Sequence, residues 1–416
     1  MSGRSLAAWL EYIERQHPQA IALGLERVIE VLSGLKIKFS CPILTVGGTN
    51  GKGSTCAMLE AVLRSAGYRT GLYTSPHLLR YNERVRIGGR EAGDEALVEA
   101  FAAVEAARGT IPLTYFEFGT LAAFFLFAQE KLDAVLLEVG LGGRLDAVNV
   151  LDADCAVLTS VAVDHVEYLG STREAIGEEK AGIFRCGVPS VVADPSPPDS
   201  VLEASRRVGS RLLLIGRDFG YRAQGTQWSY WGPAGKRSGL AHPALRGAMQ
   251  LRNASAAFAA LDSLRERLPI AMQDVRRALA EVTLPGRFQV LAGRPQVVLD
   301  VAHNPEAAAV LAANLGESGF APETIAVFGM LCDKDIAGVV RAMAPRITRW
   351  HLATLPGPRR AESFYLRKIL LEEKIQDPVF EHASVAEALA AARKEAAEND
   401  KIIVFGSFLT VAGAYG

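Results

Sequence analysis

The chain has 416 residues, with 45 Lys and Arg against 46 Asp and Glu, and 49% of its residues are hydrophobic. That length suits two or three domains, each with its own core. A net charge of −1 leaves no basic excess for counterion release, which argues against a general nucleic-acid or membrane-surface role.

In chain order, residues 5–35 read as one or two helices, with no signal-peptide core at the N-terminus. The run Ile43-Leu-Thr-Val-Gly-Gly-Thr-Asn-Gly-Lys-Gly-Ser-Thr55 follows: a buried strand, a glycine-rich turn and a helix over Ser54–Ala66. This arrangement makes an anion cradle, because glycines let the backbone approach closely, unpaired N–H groups point at the anion and the helix dipole favours negative charge. Lys52 adds a mobile point charge suited to β- and γ-phosphates. The loop departs from a standard Walker A, having Val46 and Gly53 where Gly and a hydroxyl are expected, with hydroxyls displaced to Ser54 and Thr55.

Gly67 fits a helix C-cap, and Thr70–Thr74 a strand that ends in Thr74-Ser-Pro-His-Leu78, by itself a plain Ser-Pro turn. The longest apolar run, Leu121–Ala128, is too short to span a bilayer. Ala134–Val139 and Ala156–Val161 are continuous apolar runs, as expected of parallel strands covered on both faces. Glu138 lies at the C-terminal end of the first, where open α/β sheets place ligands. Beside a phosphate loop its natural task is Mg²⁺, and Gly140, Gly142 and Gly143 suggest backbone close to a ligand. Ser160-Val-Ala-Val-Asp-His165 follows the second run, with Asp164 and His165 as weaker ligand candidates. Thr172–Glu179 reads as a polar helix leading to Lys180. Its acidic neighbours Glu174, Glu178 and Glu179 make Lys180, from spacing alone, a solvated salt-bridging lysine.

Pro189–Val192 and Leu212–Ile215 add strands, 193–200 a proline-rich loop, 219–239 a short antiparallel excursion and Asn253–Leu268 a helix. The domain boundary falls in Val282-Thr-Leu-Pro-Gly-Arg-Phe288, giving units 1–284 and 285–416. Beyond it, Gln296–Val301, Thr324–Phe328, Arg349–Thr354 and Lys401–Phe405 are strands separated by helices. Asn304 fits an N-cap and Pro305 a first helical turn, so that Asp300 and His303 project from a strand edge, with Arg287 at the hinge. Cys41, Cys56, Cys155, Cys186 and Cys332 form no C-x-x-C pair and read as small core residues of a reduced cytoplasmic protein. The fold class is therefore α/β: an N-terminal P-loop ATPase-like domain with a parallel sheet, then a smaller Rossmann-like domain.

The loop GTNGKGS at 48–54, with YTSPHLLRYNERVRI at 73–87, TYFEFGTLAAF at 114–124, LEVGLGGRLDAVN at 137–149, DHVEYLG at 164–170, EKAGI at 179–183, LPGRFQ at 284–289 and DVAHNP at 300–305, closely resembles the bacterial dihydrofolate synthase/folylpolyglutamate synthase family of the Mur ligase superfamily. The resemblance covers nearly the whole chain. It implies an ATP-dependent ligase that adds L-glutamate to dihydropteroate and to tetrahydrofolate polyglutamates through an acyl phosphate. Thr49, Asn50, Gly51, Lys52, Gly53 and Ser54 would cradle ATP, joined by Asn253, Arg287, Asp300 and His303. Ser75, Glu138, His165 and a carboxylated Lys180 would hold one or two Mg²⁺ ions, and the family pattern leaves room for a monovalent cation. Thr114, Tyr115, Phe116, Glu117, Leu145, Asp146 and Ala147 would line the pterin or pteroate pocket. The implied partners are small molecules only, with no nucleic acid and no membrane, and the implied state is a cytoplasmic monomer. A folylpolyglutamate synthase alone, another Mur-type amide ligase and a non-ligase P-loop protein remain as alternatives; the last would leave Ser75, Glu138, His165 and Lys180 without a task.

Overall fold

The computed structural model describes residues 3–19 and 21–415 and divides the chain into two compact units. The first runs to Ala244 and includes Leu251–Val282; the second takes Leu245–Gln250 and everything from Thr283 onward. Both are mixed α/β structures built on largely parallel sheets.

The first unit opens with two helices, α1 (Leu6–Glu14) and α2 (Glu26–Leu35). Its main sheet has eight strands: β1 (Ile43–Gly47), β2 (Thr70–Tyr73), β3 (Val85–Ile87), β4 (Arg90–Glu91), β5 (Ala134–Glu138), β6 (Cys155–Leu158), β7 (Pro189–Val192) and β8 (Arg211–Leu214). Their order is β4-β3-β2-β5-β1-β6-β7-β8, parallel from β2 to β8, with β3 and β4 antiparallel at one edge. β1 and β5 are buried throughout, which is why they read as unbroken apolar runs rather than alternating ones. β3 and β4, unforeseen from the sequence, meet across Gly88-Gly89, a two-residue turn with φ of +57° and +76° that only glycine adopts cheaply.

Helix α3 (Lys52–Ser65) follows β1 and lies on the sheet. It begins two residues earlier than its sequence pattern suggests, because Gly51 takes the N-cap with φ +88°. α4 (Asp94–Arg108) and α5 (Tyr115–Ala128) pack with α1 and α2, and Trp9, Phe101 and Phe118 meet there in one aromatic cluster. The apolar run at 121–128 is the body of α5, hydrophobic all round and buried accordingly. Among the described residues no helix is long and apolar enough to cross a membrane.

After β6 come the short α6 (Val166–Leu169), then α7 (Arg173–Ala181) and α8 (Asp199–Val208). The antiparallel excursion is a three-stranded sheet, β9 (Gly220–Gln224), β10 (Gln227–Gly232) and β11 (Gly235–Ala241). Trp228 and Tyr230 of β10 pack their rings on Phe258 of α9 (Met249–Ser263), and the Tyr230 hydroxyl donates to the buried Asp262 at 2.7 Å. α10 (Met272–Glu281) packs on α3.

The second unit holds β12 (Gln289–Leu291), β13 (Gln296–Leu299), β14 (Thr324–Phe328), β15 (Arg349–Ala353), β16 (Val379–His382) and β17 (Lys401–Phe405), in the order β12-β13-β17-β14-β15-β16. All pairs are parallel except β12 with β13. The edge strands β12 and β16 escaped the sequence reading because they are short and incompletely buried. The cysteine expectation needs correction. All five are free thiols, but Cys186 and Cys332 sit in turns and are exposed, and Cys41 is half-buried; only Cys56 and Cys155 are core residues.

One contact fixes the segment after β6. Asp194 accepts the Val161 amide at 2.8 Å and the Ser196 amide at 2.9 Å and meets Arg173 at 3.2 Å. Asp194→Ala leaves the buried Val161 N–H unsatisfied and should cost about 2 kcal/mol in urea unfolding. A loss indistinguishable from zero would show that this staple does not hold the segment.

Candidate active site

The glycine loop between β1 and α3 is laced to the end of β6. The Thr49 amide donates to Ser160 O at 2.8 Å, the Asn50 amide to Ser160 Oγ at 3.0 Å, and Thr159 Oγ1 to Asn50 O at 2.7 Å. The Thr49 hydroxyl exchanges hydrogen bonds with Ala162, donating to its carbonyl at 3.1 Å and accepting its amide at 3.0 Å. Thr159 and Ser160 were absent from the sequence-derived site. Their polarity at the end of an apolar strand was the available signal. Thr49 and Asn50 spend their amides inside the protein, which leaves the amides of Gly51, Lys52, Gly53 and Ser54, preceding the first helical bond, Thr55 N to Gly51 O at 2.9 Å, as the candidates for an anion. Gly48 has φ +143°, and a Cβ there would stand 1.9 Å from Thr159 Oγ1. Asn253 of α9 abuts the same loop, its Oδ1 2.7 Å from where a Cβ on Gly51 would lie.

Two lysines converge on this loop. Lys52 Nζ donates to Gly48 O at 2.9 Å and to Thr49 O at 3.2 Å; Lys180 Nζ donates to the same Gly48 O at 3.1 Å. Lys180 is only 5% exposed, so the solvated lysine expected from its acidic neighbours is not what the fold makes of it. Those neighbours are engaged elsewhere: Glu178 pairs with Arg207 at 2.5 Å, Glu179 with Arg144 at 2.6 Å, and Glu174 accepts the amides of Asp199 and Ser200. Burial, and then the Lys52 charge, hold Lys180 down to about 7, against the opposing pull of Asp164 and Asp146.

Glu138 ends β5 beside the loop and is buried. It accepts a hydrogen bond from the Thr74 hydroxyl and one from the Ser75 amide at 3.3 Å. Ser75 and Glu138 are thus brought together by adjacent parallel strands. His165 heads α6 with a left-handed backbone, φ +52°, its amide on Asp164 Oδ1 at 2.8 Å and its Nε2 4.0 Å from Asp164 Oδ2. Non-glycine residues take that conformation under constraint, often at functional positions. Among the described residues no group of three or more His, Cys, Asp or Glu is arranged to hold a metal. What Glu138 and Thr74 offer is a carboxylate beside a hydroxyl, with Ser75 next in the chain, an oxygen set that suits a hard cation completed by other oxygens such as phosphate.

Two of the glycines after Glu138 make room for protein neighbours. A Cβ on Gly140 would lie 2.6 Å from the Phe116 ring, and one on Gly143 would lie 2.7 Å from Lys180 O. Their smallness admits the neighbouring helices α5 and α7. Asp146 accepts the Leu141 amide at 2.8 Å and the Val148 amide at 3.0 Å, and burial lifts its carboxyl to about 6 although these amides oppose the shift. Ala147 is buried and Leu145 half-buried beside it. Thr114 and Glu117 form a reciprocal cap at the start of α5, Glu117 N to Thr114 Oγ1 at 3.2 Å and Thr114 N to Glu117 Oε2 at 2.8 Å. Glu117 also pairs with Arg27 of α2 at 2.7 Å, a partner that sequence reading missed. Tyr115 and Phe116 are half-buried and stand near Tyr81 and Tyr73, with ring centres 5.8 Å apart in each pair.

In the second unit Asp300 accepts the amides of Phe288 and Ala302, both at 2.8 Å. It thereby pins the Pro-Gly-Arg-Phe turn, where Phe288 has φ +43°. Burial raises its carboxyl while Arg287 draws it back. The Arg287 guanidinium lies 5.1 Å from the centre of the Phe408 ring, and His303 Nδ1 is 2.8 Å from Val301 O with its ring 6.3 Å from Phe408. Asn304 caps Pro305–Glu317 as its sequence suggests.

Residues 46–261 match the Mur ligase middle domain, and residues 286–408 match the Mur ligase glutamate ligase domain. The Escherichia coli dihydrofolate synthase/folylpolyglutamate synthase is 44% identical over 408 residues, 98% of this chain and 94% of that protein. Among solved structures, E. coli FolC in complex with DHPP and ADP superposes with a TM-score of 0.94 at 43% identity, covering 99% of this chain and 97% of that one. A bifunctional folylpolyglutamate synthase/dihydrofolate synthase with Mn, AMPPNP and L-glutamate bound gives 0.91 at 45% identity, with 99% and 97% coverage.

The crowding at Gly48 can be tested without any ligand. Gly48→Ala combines positive φ with a clash, whereas at Gly67, with φ +91°, a Cβ would meet nothing within 4 Å. Gly48→Ala should therefore lose at least about 1 kcal/mol more than Gly67→Ala in chemical unfolding. Equal losses would mean that the loop relaxes without disturbing Thr159.

Proposed function

The chain belongs to the Mur ligase family, and on that premise we propose that it is an ATP-dependent ligase joining L-glutamate to folate-type carboxylates, with both dihydropteroate and tetrahydrofolate polyglutamates as acceptors. The observation that carries this reading is the anion cradle with Lys52 at its mouth and Glu138 beside it, in a chain similar along its length to bifunctional enzymes of this activity. Residues 1–284 serve in this proposal as the nucleotide-binding module and 285–416 as the glutamate ligase module.

The amides of Gly51–Ser54, Lys52 and the helix dipole hold the β- and γ-phosphates. Asn253, against Gly51, orients that loop or the nucleotide on it. In the second unit Arg287, on the turn that Asp300 pins, and His303, next to the Ala302 amide that Asp300 also holds, offer a cation and a ring suited to nucleotide binding. Tyr115 and Phe116 present flat surfaces to the pterin, and Asp146, kept partly protonated by burial, places a hydrogen-bonding group beside them. Ser75, Glu138 and His165 would hold Mg²⁺, which when bound would offset phosphate charge.

The acceptor carboxylate oxygen attacks the γ-phosphorus and the bridging oxygen departs with ADP. The free amine of L-glutamate then attacks the acyl carbon, and the tetrahedral adduct expels phosphate as the amide forms. Lys52 needs no covalent role: it stabilises the charge that spreads over the transferring group. Lys180, in its neutral form, adds its Nζ lone pair to CO₂ and releases a proton, giving a carbamate. That exchange would turn a buried cation into an oxygen ligand, and it is supported by the burial of Lys180 and its place next to Lys52.

Release of ADP should require an acceptor and L-glutamate together, with dihydropteroate and tetrahydrofolate each sufficing as acceptor. Lys52→Ala should lower turnover by about a hundred- to a thousandfold with an unchanged melting curve. Near-normal turnover would remove the loop from the ATP site. Activity with tetrahydrofolate alone would reduce the enzyme to a folylpolyglutamate synthase.

A further inference from the structure

Arg84 ends the turn Tyr81–Arg84 that leads into β3 and is 9% exposed. Its Nε donates to His77 Nδ1 at 2.8 Å, and the Tyr73 phenol, which burial pushes up, is drawn back by the Arg84 charge. Its guanidinium carbon lies 5.4 Å from the centre of the Tyr81 ring and 5.5 Å from that of Tyr115. All of these partners are neutral or aromatic.

The surrounding arginines are treated differently. Arg80 pairs with Glu91 at 2.6 Å, Arg86 with Glu60 at 2.5 Å, Arg27 with Glu117 at 2.7 Å and Arg108 with Glu105 at 2.7 Å. The acidic neighbour of Arg84 in the chain, Glu83, spends Oε1 on the amides of Leu79 and Arg80 and Oε2 on that of Leu78. Among the described residues no Asp or Glu closes an ion pair with Arg84. A buried guanidinium without a counter-charge is costly. A second observation points the same way: Tyr81, 4% exposed, buries its hydroxyl with no hydrogen-bond partner. One cluster therefore holds a cation lacking an anion and a hydroxyl lacking an acceptor or donor, against the Tyr115 ring of the proposed pteroate wall.

Building on the ligase reading, we propose that Arg84 is the receptor for a glutamyl carboxylate that takes no part in the reaction. With Nε committed to His77, the paired Nη groups remain as a planar fork matched to a carboxylate. Dihydropteroate carries one carboxylate, and the reaction consumes it. A folate already bearing glutamate brings an additional carboxylate that stays charged, and the incoming L-glutamate brings carboxylates of its own. These two sources share one chemistry and separate in kinetics.

The test measures kcat and KM for tetrahydrofolate, dihydropteroate and L-glutamate by ADP release, with melting curves, for wild type, Arg84→Met and Arg84→Lys. If the acceptor supplies the carboxylate, Arg84→Met lowers the ratio of kcat/KM for tetrahydrofolate to that for dihydropteroate by about ten- to a hundredfold. If the incoming amino acid supplies it, the KM for L-glutamate rises by about the same factor with either acceptor. Arg84→Lys keeps the charge and loses the fork, so it should shift the same constant in the same direction by less. It carries the test should the Met variant not fold. An acceptor ratio and a glutamate KM that both stay at wild-type values in the folded variants overturn the proposal, whether or not the overall rate falls. Wild-type enzyme releasing no ADP with either acceptor would instead overturn the ligase reading, before any variant is compared.

Discussion

Two lysine side chains donate to the single carbonyl of Gly48, Lys52 at 2.9 Å and Lys180 at 3.1 Å, and much of the first unit is arranged around that crowding. Like charges this close, one of them buried, cannot both be held cheaply. Lys52 lies at the open mouth of the loop, where an anion can answer its charge. Lys180 lies behind it, shielded by the α7 backbone that packs on Gly143, and is the one whose ammonium form is disfavoured. The carboxylates that would ordinarily neutralise it, Glu178 and Glu179, are turned outward onto Arg207 and Arg144. The fold thus keeps a lysine poised between charged and neutral forms within reach of a phosphate loop. The proposed carboxylation would resolve the conflict by reversing the sign of one partner.

The rigidity of this arrangement comes from β6 rather than from the loop itself. Thr159, Ser160 and Ala162 bind Thr49 and Asn50 through backbone and side chain, and Asp194 fixes Val161 behind them. A glycine loop alone would be mobile; tied at both ends to a buried parallel sheet it is preorganised, so an arriving phosphate need not order it. The second unit uses the same device on a smaller scale, with Asp300 bracing the turn that carries Arg287.

Much of this was legible in the sequence. Parallel strands buried on both faces announce themselves as apolar runs, and the glycine loop with Lys52 announces an anion site. The edges were not legible: β3, β4, β12 and β16 are short, and half-exposed strands leave little pattern. Lys180 shows why the site was only partly readable. Its acidic neighbours make it look solvated, and only tertiary packing, which places α7 against the loop after β5, buries it. Gly140 and Gly143 carry a mark that the sequence alone does not resolve, since close approach by Phe116 and Lys180 leaves the same trace as close approach by a ligand. Thr114 and Glu117 carry the spacing of a capping box, so their capping role could have been read from the chain beside the ligand role that the family resemblance implies.

The central claim is that Lys180 resolves its conflict with Lys52 as a carbamate. The most direct measurement is ¹³C NMR of the protein equilibrated with ¹³C-labelled bicarbonate near neutral pH. The account predicts a protein-bound carbamate resonance in the wild type that disappears in Lys180→Ala. No such resonance in folded wild-type protein at saturating bicarbonate, or one that survives in Lys180→Ala, would contradict it.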